Sequence, residues 1–280
     1  MNQKALLIIP IAMLALSLIF LFWKINTTGL NLDIDLKGGT QISIETPAAV
    51  NVATIEGILK DYKTSVRSAG GLSGSLLIIE FDTSVKSEDV MNTLKENGYT
   101  FTKFSVQTIG PSLGGAFFKQ AQIAIGIAFL FMAVTVFIIF RIPLPSFYVV
   151  LCGFADLVEA LAISQFLGIK LSLATFSALL LLIGYSVDTD VLQTTRVLKS
   201  AEADPRKKIR GAMKTGLTMI GATAAAMLAL FVISTSSIIT QIASVLLIGL
   251  IMDIPNTWIL NSGLLLWYVE RRRKNVKTTP

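Results

Sequence analysis

Five acidic side chains stand inside long apolar runs: Asp156, Glu159, Asp188, Asp190 and Asp253. A carboxylate placed within a bilayer-spanning helix costs roughly 2.5–3.5 kcal/mol on insertion scales, so such groups face a protein interior or a water path. Asp156 and Glu159 are three apart and share one helix face, whereas Asp188 and Asp190, two apart, point to nearly opposite sides. One of that second pair is expected to work and the other to face elsewhere. Asp188, two residues deeper than Asp190 in the stretch LLLLIGYSVDTDVLQTTR, is the acid best placed to carry a proton, with Asp190 nearer water. The nearest bases, Lys170, Arg196 and Lys214, lie at the ends of the runs, so each charge is poorly compensated. Two readings of the acids stand. They are a protonatable cluster coupling ion movement to a change of shape, or neutral hydrogen-bonded glue between helices.

Composition excludes other chemistry. There is no histidine and a single cysteine, Cys152, so histidine proton shuttles, serine-type triads, an intrachain disulfide and a cysteine metal cluster have no basis. No cofactor is expected, and any transported proton must ride on Asp or Glu. The net charge of +6 does not indicate nucleic acid, because the basic residues cluster beside apolar runs.

The elements that must position the acids follow from hydropathy and periodicity. Residues 5–23 form a first span, with no small-residue cleavage site after it. Five further spans are expected near Gln120–Phe140, Phe147–Leu167, Leu171–Leu192, Thr215–Ile233 and Ile238–Tyr268, the last kinked by Pro255. Gly216, Gly221, Ala222 and Ala224 to Ala226 favour close packing of span five. Residues 29–119 turn soluble. LDIDL and TQISIE read as a β-hairpin turning at Lys37-Gly38-Gly39. A helix follows over Val50–Arg67, then the AGGLSG loop and a strand over Ser75–Phe81. A helix with Ser87 as N-cap runs to Asn97, and a last strand covers Tyr99–Ile109. This order suggests a ferredoxin-like α+β sandwich. The expected organisation is an α-helical membrane protein: a span in 1–28, an external domain in 29–119 and a five-span bundle in 120–280. Basic Lys4, Arg141, the Thr194–Lys214 connection and the tail place both termini in the cytoplasm of a plasma-membrane protein.

Three motifs, in order, carry a resemblance. DIDLKGGT with Gly38 and Gly39 is similar to a D-[FL]-x-G-G motif. Gly110, Pro111 and Gly114 in IGPSLG are similar to V-G-P-S-x-G. Gly184, Tyr185, Ser186 and Asp188 in GYSVD are similar to G-Y-S-x-[ND]. Together with the layout, they resemble the SecD/SecF family of protein-export membrane proteins, in the resistance-nodulation-division superfamily, over essentially the whole chain. The short external domain resembles the SecF branch, in an archaeal-type form. The resemblance implies a SecD-like subunit, the Sec translocon channel, a translocating polypeptide and membrane lipids as partners, and no bond-breaking activity. Ala155 stands where the family carries a histidine. Thr189 stands where its usual aspartate falls, while Asp188 matches the aspartate of the SecD branch, and Thr218 occupies the place of a span-five arginine. Two alternatives to a proton-coupled export subunit remain: an uncoupled membrane-anchored binding module at the translocon, and half of an ion-driven small-molecule exporter.

Overall fold

The computed structural model describes residues 6–46, 50–71, 74–99, 101, 103–199, 204–234 and 236–277. Lys4, the start of the first span, residues 72–73 of the AGGLSG stretch and residues 200–203 of the basic connection lie outside these. Six helices are long and apolar enough to cross a membrane. They are α1 (Ile8–Thr27), α5 (Pro111–Phe140), α6 (Pro143–Phe166), α7 (Leu173–Lys199), α8 (Pro205–Ile233), and the pair α9 (Ser237–Pro255) and α10 (Ser262–Lys277), which the segment Asn256–Asn261 joins into one span. Short α2 (Ile34–Lys37), α3 (Val52–Ile58) and α4 (Ser87–Glu96) belong to the sheet domain, with strands β1 (Gly39–Thr46), β2 (Ser65–Gly71), β3 (Gly74–Phe81) and β4 (Phe104–Ile109).

The sheet is antiparallel in the order β2-β3-β1-β4, with α3 between β1 and β2 and α4 between β3 and β4, which is the ferredoxin-like arrangement. Alternation explains its two faces. Ile42, Ile44, Leu77, Ile79 and Phe81 point to one side and close a core with Ile55, Leu59, Val90, Met91 and Leu94 from the helices. Arg67, Ile78 and Glu80 point to the other side, towards the top of the bundle.

Several local expectations fail here. LDIDL is not a strand: Asp33 caps α2 by accepting from Ile34 N, and the sheet begins only at Gly39. Period-2 and one-turn patterns cannot be told apart over five residues. Gly38-Gly39 is therefore not a hairpin turn. Gly38, at φ +83°, lies against the start of α5, where a Cβ would meet Pro111 Cα at 2.6 Å. A Cβ on Gly114 would meet Gly38 N at 2.6 Å. The Gly38-Gly39 and Gly110-Pro111-Gly114 motifs thus form one joint, where the absence of two side chains lets backbones touch. The helix expected over Val50–Arg67 stops early. Val66 and Arg67 lie in β2, whose hairpin with β3 occupies the expected AGGLSG loop. Ser87 is the first helical residue of α4; the N-cap is Lys86, with no side-chain cap.

The domain is tied down by more than the joint. Asp33 N donates to Leu171 O and Leu171 N to Asn31 O, both at 2.7 Å, a short parallel bridge to the loop between α6 and α7. Asp35 accepts from the Leu173 amide at the start of α7. Around these bonds lies an ion network. Glu80 meets Lys170 at 2.7 Å, Arg67 at 2.9 Å and Lys37 at 3.6 Å, and Arg67 also reaches Asp33 at 2.9 Å.

Within the bundle, α6 is the enclosed element: 67% of its apolar window is buried, against 11% for α1 and for α8, so the centre lies around α6, α7 and α9. The small residues of α8 do not all serve packing within the chain. Gly216 admits the Trp258 ring, whereas nothing approaches Gly221, and Ala222, Ala225 and Ala226 lie on exposed or half-exposed surface. The basic connection is shorter than expected because α7 runs to Lys199 and α8 starts at Pro205. Lys208 donates to Val197 O at 3.1 Å, so the chain's basic residues partly close the helix ends.

Candidate functional site

Pro255 has no amide hydrogen to donate, and the helix answers with a π-helical segment, Asn256–Asn261. Polar residues gather on this segment. Asn256 Nδ2 donates to Asp156 Oδ1 at 2.8 Å and to Glu159 Oε2 at 2.9 Å, gripping the two acids of α6 at once. Its backbone carbonyl accepts from Cys152 Sγ at 3.6 Å. Ser186 Oγ of α7 donates to Asp156 Oδ2. Thr257 Oγ1 donates to Asp253 Oδ1 at 2.8 Å, and Asn261 Nδ2 to Asp190 Oδ1 at 2.7 Å. Below them Gln193 bonds Ser262 Oγ. Asp156, Glu159, Asp190 and Asp253 are each at most 1% exposed.

No Lys or Arg pairs with any of these four acids among the described residues. Ion pairs gather in the sheet domain and at its junction with the bundle, around Glu80, Asp33 and Glu45. Instead, amides and hydroxyls meet the four acids, from Ser186, Asn256, Thr257 and Asn261. The surroundings are rich in acceptors: Glu159 Oε1, Asp190 Oδ2, Asn256 Oδ1 and Asn261 Oδ1 are buried with no protein partner. Among the described residues no group of three or more Cys, Asp or Glu is placed to hold a metal ion. The arrangement joins Asp156 and Glu159 through one amide and sets Asp190 and Asp253 against side chains of the same π-segment.

The order expected for span four is reversed. Asp190 is the inward residue, fully buried against Asn261, and Asp188 is exposed on the outer face of α7. The half-turn between them was legible. Which one faced inward was not, because spacing along one helix sets the angle between two side chains and not the direction in which the whole helix is turned. Of the GYS motif, Ser186 enters the cluster, Tyr185 is half-buried against the core and Gly184 faces outward. Thr218 is exposed too, its hydroxyl donating to Lys214 O at 2.9 Å. Asn261, Thr257 and Gln193 escaped sequence reasoning. The signal was present in NTWILN, whose two asparagines are five apart, a spacing that a π-segment after Pro255 brings to one side.

Comparison with known proteins fits this architecture. The family "Protein export membrane protein SecD/SecF, C-terminal" matches residues 89–271. The protein-export membrane protein SecF of Methanothermobacter thermautotrophicus is 40% identical over 277 residues, covering 97% of this chain and 94% of the relative. That of Methanocaldococcus jannaschii is 37% identical over 284 residues, covering 98% and 99%. The crystal structure of SecDF from Thermus thermophilus shares the fold with a TM-score of 0.76 at 18% identity, covering 96% of this chain and 38% of that longer one. Sequence likeness across nearly the full length, together with a shared six-helix and ferredoxin-like architecture, places the chain in the SecD/SecF family of protein-export membrane proteins, as a SecF-type member.

Proposed function

We propose that this chain is the SecF-type half of a SecD–SecF assembly at the Sec translocon, and that proton exchange in the buried carboxyl cluster changes how α6, α7 and the α9–α10 span pack. The observation that carries this reading is the gathering of four buried acids, Asp156, Glu159, Asp190 and Asp253, met by amides and hydroxyls with no cation beside them among the described residues. Each proton gained or lost there changes how many hydrogen bonds the cluster can make. The helices must then adjust, because a buried unpaired acceptor is costly. Pro255 and the π-segment give the last span a place to adjust without breaking. The reading moves the leading role from Asp188 to Asp156, Asp190 and Asp253. The exposed α7 face with Asp188, and the sparsely buried α5 and α8, suit burial against a homologous SecD-like half.

We further infer that residues 29–110 face outside and meet the translocating polypeptide, while the basic helix ends and both termini face the cytoplasm. The test is an export assay in cells, with copurification of the SecD-like subunit as the folding control. Asp156→Asn and Asp253→Asn should copurify normally and lose export stimulation. If the Asn variants export as wild type while Asp156→Leu fails to assemble, the cluster is packing glue and the uncoupled reading holds.

A further inference from the structure

At the end of the bundle away from the sheet domain, a groove of about 670 Å³ opens between the start of α1, the first turns of α8 and the α9–α10 span. Its walls are apolar: Leu7, Ile209, Met213, Ile259, Leu266 and Trp267 among them. Its rim carries Arg206 and Arg210, which are four apart on α8 and so share a face. Neither guanidinium has a hydrogen-bond or ion-pair partner among the described residues. Their position does not serve the helix. They stand in its first turns, where the macrodipole favours negative charge and opposes cations. The helix has already met its own need through Asp204, which caps it by accepting from Arg206 N. Trp267, 48% exposed beside the groove, lies 5.3 Å from Arg271 in a cation–π contact. Exposed tryptophans next to basic residues mark headgroup depth. Gly263 holds the floor tight, since a Cβ there would meet Leu7 at 2.5 Å.

We propose that this groove binds an anionic phospholipid, its phosphate between Arg206 and Arg210 and an acyl chain along Met213, Ile259 and Leu266. Arginine's planar fork suits phosphate, and unpaired guanidinium groups over an apolar slot match one molecule that is anionic at one end and hydrocarbon at the other. Glu270 lines the same rim and pairs with neither arginine. It disfavours a second negative charge and limits the site to one headgroup.

Native mass spectrometry of the full chain in neutral detergent tests this, using phosphatidylglycerol, phosphatidylcholine of the same acyl chains, and inorganic phosphate alone. Wild type should prefer phosphatidylglycerol roughly thirtyfold, the scale expected of two basic groups at a headgroup. The Arg206→Gln/Arg210→Gln double variant should lose that preference and keep phosphatidylcholine binding. Met213→Trp, which fills the slot, should weaken both lipids. Equal binding of the two lipids by wild type overturns the proposal, whether or not either variant folds. So does a preference that survives in the double variant, which would be general surface charge. Displacement of the lipid by millimolar phosphate would also overturn it, leaving a simple anion site.

Discussion

Two groups of buried acids in this molecule meet opposite fates. At the junction of sheet domain and bundle, Glu80 is 2% exposed and three cations surround it, while Asp33 shares Arg67 with it. In the bundle, Asp156, Glu159, Asp190 and Asp253 are as deeply buried, and the hydrogen bonds that meet them come from amides and hydroxyls. At the junction, cations stand beside each carboxylate and hold the joint. In the bundle no cation among the described residues stands beside the acids, which is what the proposed proton exchange requires. The first group serves attachment and the second suits a switch.

The sharpest way to break this contrast is to remove one charge from each region. Glu80→Gln leaves Lys170 partly buried without its acid and Arg67 with Asp33 alone, and losing one partner of a buried pair costs about 3–5 kcal/mol. A large fall in the melting temperature of the purified full chain is expected. Asp156→Asn should leave stability within about 1 kcal/mol while export stimulation disappears. Equal stability losses in the two variants would erase the distinction. The joint between the two glycine motifs is next in size. Gly114→Ala drives a Cβ against Gly38 N, and the forced backbone shift should cost about 1–3 kcal/mol, read as a lower melting temperature.

A smaller effect separates the regions by pH. Burial first, and Asp33 second, hold the half-buried Asp35 carboxyl above the usual carboxylate range. The folded chain therefore takes up that proton more readily than the unfolded chain. Its contribution to stability is present at low pH and is lost as pH rises from the usual carboxylate range through the raised value. Asp35→Asn should flatten that part of the profile of melting temperature against pH. An unchanged profile would assign the slope to other groups. The smallest effect is expected at Asp188. Being exposed, Asp188→Asn should stay within about 0.5 kcal/mol of wild type in detergent, and any loss should show only in copurification of the SecD-like subunit or in export. A strong destabilisation of the isolated chain would return Asp188 to the interior.

Much of the architecture was legible from the chain alone, for physical reasons that are local. Runs of some twenty apolar residues mark spans because backbone polar groups in lipid must be satisfied within the helix. Alternation in TQISIE marks β1, because strand faces repeat every two residues, and the short apolar run in SLLIIEF marks β3, a strand covered on both faces. Short mixed segments were misread. Ile34–Lys37 and Val66–Arg67 are too brief for a period to declare itself, and their neighbours decided between helix and strand.

Residue type and spacing determined which acids enter the bilayer, that Asp188 and Asp190 face opposite ways, and that Pro255 disturbs the last span. Only the tertiary structure decided that Asp190 is the inward one, that Asn256 grips Asp156 and Glu159 from 97 and more residues away, and that two distant glycine motifs close into one joint. Spacing along a helix sets angles between side chains but not the direction of the whole. That direction depends on which neighbouring helices supply hydrogen bonds, and those neighbours are remote in sequence.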